Sequence, residues 1–161
     1  MSTNVLLAPC DSPNFDDTVS NPVDLDEFPD HPPAFDGKTE VRFWGVRQGS
    51  QNRNYFEKMR PGDLVLFYQN GSYIGTGWIG TKYEDEDGWA KTTFWRDAPS
   101  NLIYSIENFH QVQVPKAAVN TIFDYVNDYN PEGLIRVADN RLNNRPKAIE
   151  LALIRYTKKN S

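Results

Sequence analysis

Arg60-Pro61-Gly62-Asp63-Leu64-Val65-Leu66-Phe67-Tyr68-Gln69-Asn70-Gly71-Ser72 is the run that decides the fold. Pro61-Gly62 is turn chemistry. Leu64 to Tyr68 is an unbroken apolar run too short for a helix, so it reads as a buried central strand. Asn70-Gly71 is the strongest short hairpin signal a sequence carries. The return strand is Tyr73-Ile74-Gly75-Thr76-Gly77-Trp78-Ile79-Gly80, whose glycines allow close backbone approach or a bulge that curls the sheet.

Upstream, Val41-Arg42-Phe43-Trp44 reads as a strand ending at Gly45, followed by Val46-Arg47. Ser50 or Asn52 can cap a short helix over Tyr55 to Met59 that stops at Pro61. Val5-Leu6-Leu7-Ala8 is a short buried strand stopped by Pro9. Residues 9–38 hold six prolines and few periodic apolar positions, so they read as a long, mostly irregular segment wrapping the body, anchored by Phe15, Val19, Leu25, Phe28 and Phe35. Downstream of the hairpin, Glu84 to Gly88 is an acidic turn whose spacing does not suit a calcium loop. Lys91 to Phe94 reads as strand-like, and Arg96 to Asn101 as a loop. Leu102 to Val114 is a long strand. Pro115 opens a helix with Val119, Ile122, Phe123 and Val126 on one face, and Pro146 to Lys158 has Ile149, Leu153 and Tyr156 at helical spacing. The sum is an α+β chain, one domain over 1–161, with a mixed sheet of five or six strands curled into a partial barrel and flanked by two or three helices.

The 161 residues carry a net charge of −5, but unevenly. Residues 1–37 contain eight acidic side chains and no Lys or Arg, so the remaining 124 carry 17 basic against 14 acidic, a net of +3. A mildly basic body with a separate acidic arm suits a phosphate-facing surface. A solvated acidic loop, or adaptation to a high-salt cytoplasm, gives the same asymmetry. No apolar run approaches a membrane span and the N-terminus lacks an export signal, so the expectation is a soluble, intracellular, cytoplasmic protein. The single Cys10 excludes an intrachain disulfide and a cysteine zinc site.

Enzyme signatures are missing. There is no nucleophile elbow, phosphate loop, dinucleotide fingerprint or His-Glu-x-x-His motif. His31 lies in the Pro-rich arm and His110 in mid-strand, and Asp63 has no Glu-x-Lys partner for a nuclease site. The expectation is a binding protein without catalytic residues, metal or cofactor. The aromatics make up 13% of the chain. Tyr68 and Trp78 suit the core. Trp44, at a strand end, and Trp95, at the start of a polar loop, suit a rim, where two indole faces could hold a base flipped out of a duplex. Gly45 beside Trp44 leaves backbone amides reachable. Arg47 and Arg53 flank this turn and are candidates for phosphate contact, with Lys58 and Arg60 nearby; plain solubilising charge is the alternative.

Trp44-Gly45-Val46-Arg47, then Arg53-Asn54, then Met59 to Tyr68 closely resembles the signature of the EVE domain, in the YTH/EVE branch of the PUA-like superfamily. The matching segment spans about residues 41–80. The resemblance implies a barrel-like sheet with flanking helices and a non-enzymatic reader of modified bases, such as methylated cytosine or adenine. It implies an aromatic cage with Trp44 as one wall and Trp95 as the second, Trp89 being the competitor for that place. Asp11, Ser12 or Asn14 in the first loop would read the base edge. Related domains stand at the N-termini of McrBC-type restriction proteins and recognise methylated DNA, which implies a prokaryotic protein with a fused or partner nuclease or NTPase. The acidic segment is long for the family and would cover the pocket, mimic phosphate or pack on the back. An RNA-binding module, or a protein-interaction module using the acidic arm, are the other readings.

Overall fold

The structure, a computed structural model, describes residues 3–161. Its frame is a seven-stranded mixed sheet: β1 (Val5–Pro9), β2 (Val23–Asp24), β3 (Glu40–Arg47), β4 (Leu64–Gln69), β5 (Ser72–Glu84), β6 (Ser100–Pro115) and β7 (Ile135–Arg136), in the order β2-β3-β6-β5-β4-β1-β7. Only β1 and β4 run parallel; the other pairs are antiparallel. β2 and β7 are free edges, so the sheet curls without closing. The curl follows from long, irregular strands. The β5–β6 register shifts three times, at positions that include Gly75, Gly77 and Gly80. At Gly77 a Cβ would lie 2.2 Å from the Ile106 side chain, so only glycine allows that approach.

The sheet is covered on both faces, which is why Leu64 to Phe67 is continuously apolar. Leu6, Ala8, Val65 and Phe67 join one core with Phe15, Phe35, Phe43, Trp44, Trp95 and Ile103. Val5, Leu7, Leu64 and Leu66 face the other, with Val119, Phe123, Ile149 and Leu153 from α4 (Lys116–Phe123) and α5 (Pro146–Lys159). α5 is anchored by Glu150, which is fully buried and accepts from Trp78 Nε1 at 2.7 Å and Lys147 Nζ at 2.8 Å. α4 stops at Asp124, in the left-handed conformation, so Val126 is not on its buried face but 70% exposed.

The acidic segment is not a loose arm. It forms α1 (Ser12–Phe15), a π-type turn Asp16–Ser20, the β2 edge strand and two 3₁₀ turns. Phe15, Val19, Leu25 and Phe35 are buried as expected, while the carboxylates of Asp16, Asp17, Asp24 and Asp26 stay in water.

Two expectations fail locally. β3 does not end at Gly45 but runs to Arg47, paired through Gly45↔Ile103 and Val46↔Leu102. Residues 89–94 are not a strand. Trp89–Thr93 is helix α3, whose Ala90 N–H donates to the buried Asp85 carboxylate at 2.9 Å. Arg96 and Asp97 then both take positive φ (55° and 62°), a reversal that turns Trp95 inward.

The six-membered ring of Trp95 packs closely against the backbone of Gly45. A Cβ there would sit 2.6 Å from Trp95 Cζ3 and 2.8 Å from Cη2. Gly45→Ala should therefore destabilise the protein by about 1–3 kcal/mol in urea unfolding. In a Trp95→Phe background the clashing atoms are gone, so most of that penalty should vanish; an equal cost in both backgrounds would refute the contact. A second tie closes the other side of the sheet. Asp63 is buried and accepts from Asn4 N (3.0 Å), Asn4 Nδ2 (2.8 Å) and Arg60 N (2.7 Å). Asp63→Ala strands these donors and should cost about 3 kcal/mol, read as a lowered urea midpoint at unchanged slope.

Candidate functional site

A pocket of about 220 Å³ opens where the C-terminal end of β1, the last turns of β3 and the exit of α3 meet. β3 contributes Trp44, Gly45, Val46 and Arg47, and the α3 reversal contributes Trp95. β1 ends at Pro9, so the chain turns outward and α1 brings Asp11 and Asn14 to the same opening. These are six of the expected base-site and phosphate residues, Trp44, Gly45, Trp95, Asp11, Asn14 and Arg47, brought together from three distant parts of the sequence. Ser12 is exposed and does not line the pocket.

The indoles are arranged differently from a rim-mounted cage. Trp44 is 7% exposed and Trp95 2%, so both belong to the floor. Their centroids are 5.6 Å apart with planes at 66°, an edge-to-face contact. A base sandwiched between two rings needs parallel faces roughly 7 Å apart, two contacts of about 3.5 Å. The two indoles therefore touch each other and present one angled aromatic surface. The sequence suggested a rim because it placed Gly45 at a strand end; as an inner residue of β3, Trp44 is packed from the side by Phe15 (5.7 Å, 72°). Trp89 packs with Phe28, Phe35, Phe43 and Phe94 and is absent from the pocket lining.

Trp95 is held by its polar end. Its Nε1 donates to Thr18 Oγ1 (3.3 Å), and Thr18 Oγ1 donates to the Phe43 carbonyl (2.7 Å). Thr18 is fully buried and comes from the acidic segment. Arg96, next to Trp95, clamps the same segment through Asn14 Oδ1 (2.8 Å) and Asp17 (3.0 Å). Asn14 thus keeps its amide NH₂ for the pocket. Cys10, beside Asp11, donates weakly to the Tyr68 carbonyl, and burial pushes its thiol up, so it stays protonated.

The far wall comes from residues the sequence reading did not single out. Asn52, considered only as a helix cap, donates from Nδ2 to the Arg47 carbonyl and accepts at Oδ1 from Leu134 N, both at 3.2 Å. It pins Glu132, Gly133 and Leu134 across the pocket from β1. A Cβ on Gly133 would stand 2.8 Å from Asn52 Oδ1. In the sequence this loop is marked only by Asn130-Pro131-Glu132-Gly133, a helix-breaking run that says nothing of where the loop docks.

The expected cationic cluster separates. Arg47 is exposed at the pocket mouth. Arg53 is tied to Glu84 (2.6 Å), Glu57 (3.6 Å) and Gln48 (3.2 Å), which offsets its charge. Lys58, exposed at the last turn of α2 (Ser50–Lys58), lies about 9 Å along that helix from Asn52. Neither Lys58 nor Arg60 lines the pocket. Arg42 donates to the Val19 and Ser20 carbonyls and covers the Phe109 ring. Among the described residues no cluster of three or more metal-ligating side chains exists, and no helix is long and apolar enough to cross a membrane.

No family model matches the chain, and no curated protein matches it in sequence. Solved structures do. The N-terminal domain of Thermococcus gammatolerans McrB, in a structure bound to m5C DNA, superposes with a TM-score of 0.69 at 16% identity, covering 96% of this chain and 98% of that one. Human THYN1, in complex with 5-methylcytosine-containing DNA, superposes at 0.51 with 12% identity over 92% and 97%. Protein Atu2648 from Agrobacterium tumefaciens gives 0.52 and 13% over 91% and 93%. The curled mixed sheet, its flanking helices and these superpositions across nearly whole chains together show that this chain shares the α+β fold of those proteins, the fold class expected from the sequence.

Proposed function

We propose that this chain is a reader of methylated DNA. It takes a 5-methylcytosine, flipped out of the duplex, into the pocket above Trp44 and Trp95, and it serves modification-dependent restriction together with a fused or partner nuclease or NTPase. The observation that carries this reading is the pocket itself: about 220 Å³, an aromatic floor, carboxylates at two walls and a single cation at the mouth. That volume is the space of about seven waters at roughly 30 Å³ each, enough for one methylated pyrimidine. Two structural neighbours crystallised with 5-methylcytosine DNA share the fold, which supports the same class of ligand here.

The chemistry follows from the lining. Extruding a base costs a few kcal/mol, and stacking on an aromatic surface returns about 1–3 kcal/mol. Asp11 and Glu132 are acceptors, and the exocyclic amine of cytosine is the donor that a carboxylate reads. Thymine carries the same methyl group but presents a carbonyl at that position, which two carboxylates repel. The methyl group finds apolar surface at Val46, Ala98 or Leu134. Arg47, at the mouth, serves the phosphate of the extruded nucleotide. No catalytic step is assigned.

Matched duplexes carrying cytosine, 5-methylcytosine, N6-methyladenine, or thymine opposite guanine test the reading, with a matched methylated RNA as competitor. The 5-methylcytosine duplex should bind tightest, and Trp44→Ala should lose about tenfold or more of that affinity. Equal affinity across the series, or preference for the RNA, would refute it. Salt dependence separates the two arginines. Arg47→Ala should lower the slope of log K against log salt by about 1, while Arg53→Ala, already paired with Glu84 and Glu57, should leave it unchanged.

A further inference from the structure

The wall of Asn52, Glu132, Gly133 and Leu134 has a second concavity against it, of about 420 Å³, floored by Tyr129. The two cavities share these four residues, so whatever fills one lies beside whatever fills the other. Tyr129 is the end of a built stack. Its ring lies 4.4 Å from that of Tyr125 at 22°, and the Arg141 guanidinium lies 4.5 Å from the Tyr125 centroid. At those distances Tyr129 and Arg141 cannot occupy the same face of Tyr125, so the order is Arg141, Tyr125, Tyr129. Arg141 is itself fixed by the Phe123 and Asp124 carbonyls. The stack is therefore held from behind, and its last ring lines the cavity. Burial raises the phenols of Tyr125 and Tyr129, so both rings stay neutral. The amide of Gln51 stands on the same lining and can meet a base edge.

We propose that this second cavity is a subsite for the nucleotide adjacent to the extruded base, which stacks on Tyr129 and gives the protein a preference for its flanking sequence. The subsite rests on the base-pocket reading for the position of the strand. A pre-stacked ring at a polar cavity that shares a wall with the pocket is what a neighbouring base needs. It orders the strand on both sides of the wall, and the partly held neighbour resists return of the flipped base to the duplex. Asn52 becomes a positioning residue for both cavities, since it holds the partition between them.

The test compares wild type, Tyr129→Leu and Tyr129→Phe on three DNA duplexes with one 5-methylcytosine: intact, with an abasic site on its 5′ side, and with one on its 3′ side. Tyr129→Leu keeps apolar volume without a flat face. Wild type should bind intact DNA about 5-fold or more tightly than Tyr129→Leu, as stacking of one base implies. That advantage should disappear for one of the two abasic duplexes and persist for the other, with Tyr129→Phe behaving as wild type. Comparing proteins on the same duplex cancels any easing of base extrusion by the abasic site. No advantage on intact DNA, or an advantage that survives both abasic sites, overturns the subsite. Equal binding of methylated and unmethylated duplex by wild type would sink the base-pocket reading alone, because the flank effect is scored within one methylation state. Absence of DNA binding sinks both.

Discussion

The close contact between Trp95 and the backbone of Gly45 is the constraint on which the site depends. A strand residue without a Cβ leaves a shallow trough on β3, and the indole fills it to within van der Waals reach. For the ring to arrive there, α3 must end abruptly, which it does through two consecutive residues in the left-handed region, Arg96 and Asp97. Neither is glycine, so this reversal costs on the order of 1–3 kcal/mol per residue. The burial of Trp95, its tilted contact with Phe43 and its edge-to-face contact with Trp44 offset that cost. The pocket floor is thus set by backbone approach, with the side chains following.

That contact also explains the acidic segment. A buried indole needs a partner for its N–H. Thr18 supplies it and passes the hydrogen bond on to the Phe43 carbonyl. The segment thereby becomes a buttress under the pocket, with its apolar side chains in the core and its carboxylates outward. Of its carboxylates, Asp11 lines the pocket with Arg47, while Asp16, Asp17, Asp24 and Asp26 are exposed outside it. It neither covers the pocket nor acts as an independent arm, since Phe15, Val19, Leu25 and Phe35 are as buried as any strand residue.

What was legible in the sequence follows the range of the signals. Leu64 to Tyr68, the Asn70-Gly71 turn and the long strand after residue 100 are written locally, in apolar runs and turn residues, and the structure has all three. The helix over 146–159 was readable from the spacing of Ile149 and Leu153. The failures are tertiary. Lys91 to Phe94 looks strand-like because Thr92, Thr93 and Phe94 favour strands, yet the Asp85 carboxylate capping Ala90 starts a helix there. Gly45 looked like a strand end because isolated glycine usually marks a break; its reason was a ring arriving from 50 residues downstream. The pocket residues Asp11, Asn14, Trp44, Gly45, Arg47 and Trp95 were nameable through the family signature, but the far wall was not. Asn52 and Gly133 carry no motif, and only the fold shows that one fits against the other.

The electrostatic layout then decides how such a pocket can work in an acidic protein. Charge counted along the sequence grouped Arg47, Arg53, Lys58 and Arg60 as one patch, with Arg42 just upstream. In space, Arg53 is neutralised by Glu84 and Glu57, and Arg42 is absorbed by backbone carbonyls and the Phe109 ring. What remains at the pocket is one arginine at the mouth and two carboxylates at its walls. Such a site gains little from general attraction to a polyanion, because few counterions are released. On the proposed reading, affinity then comes from the contents of the pocket: stacking, fit and the hydrogen-bonding edge of the base. A surface that holds unmodified DNA weakly and gains its affinity from one base in the pocket is, on that reading, the physical requirement for reading a modification instead of coating the duplex.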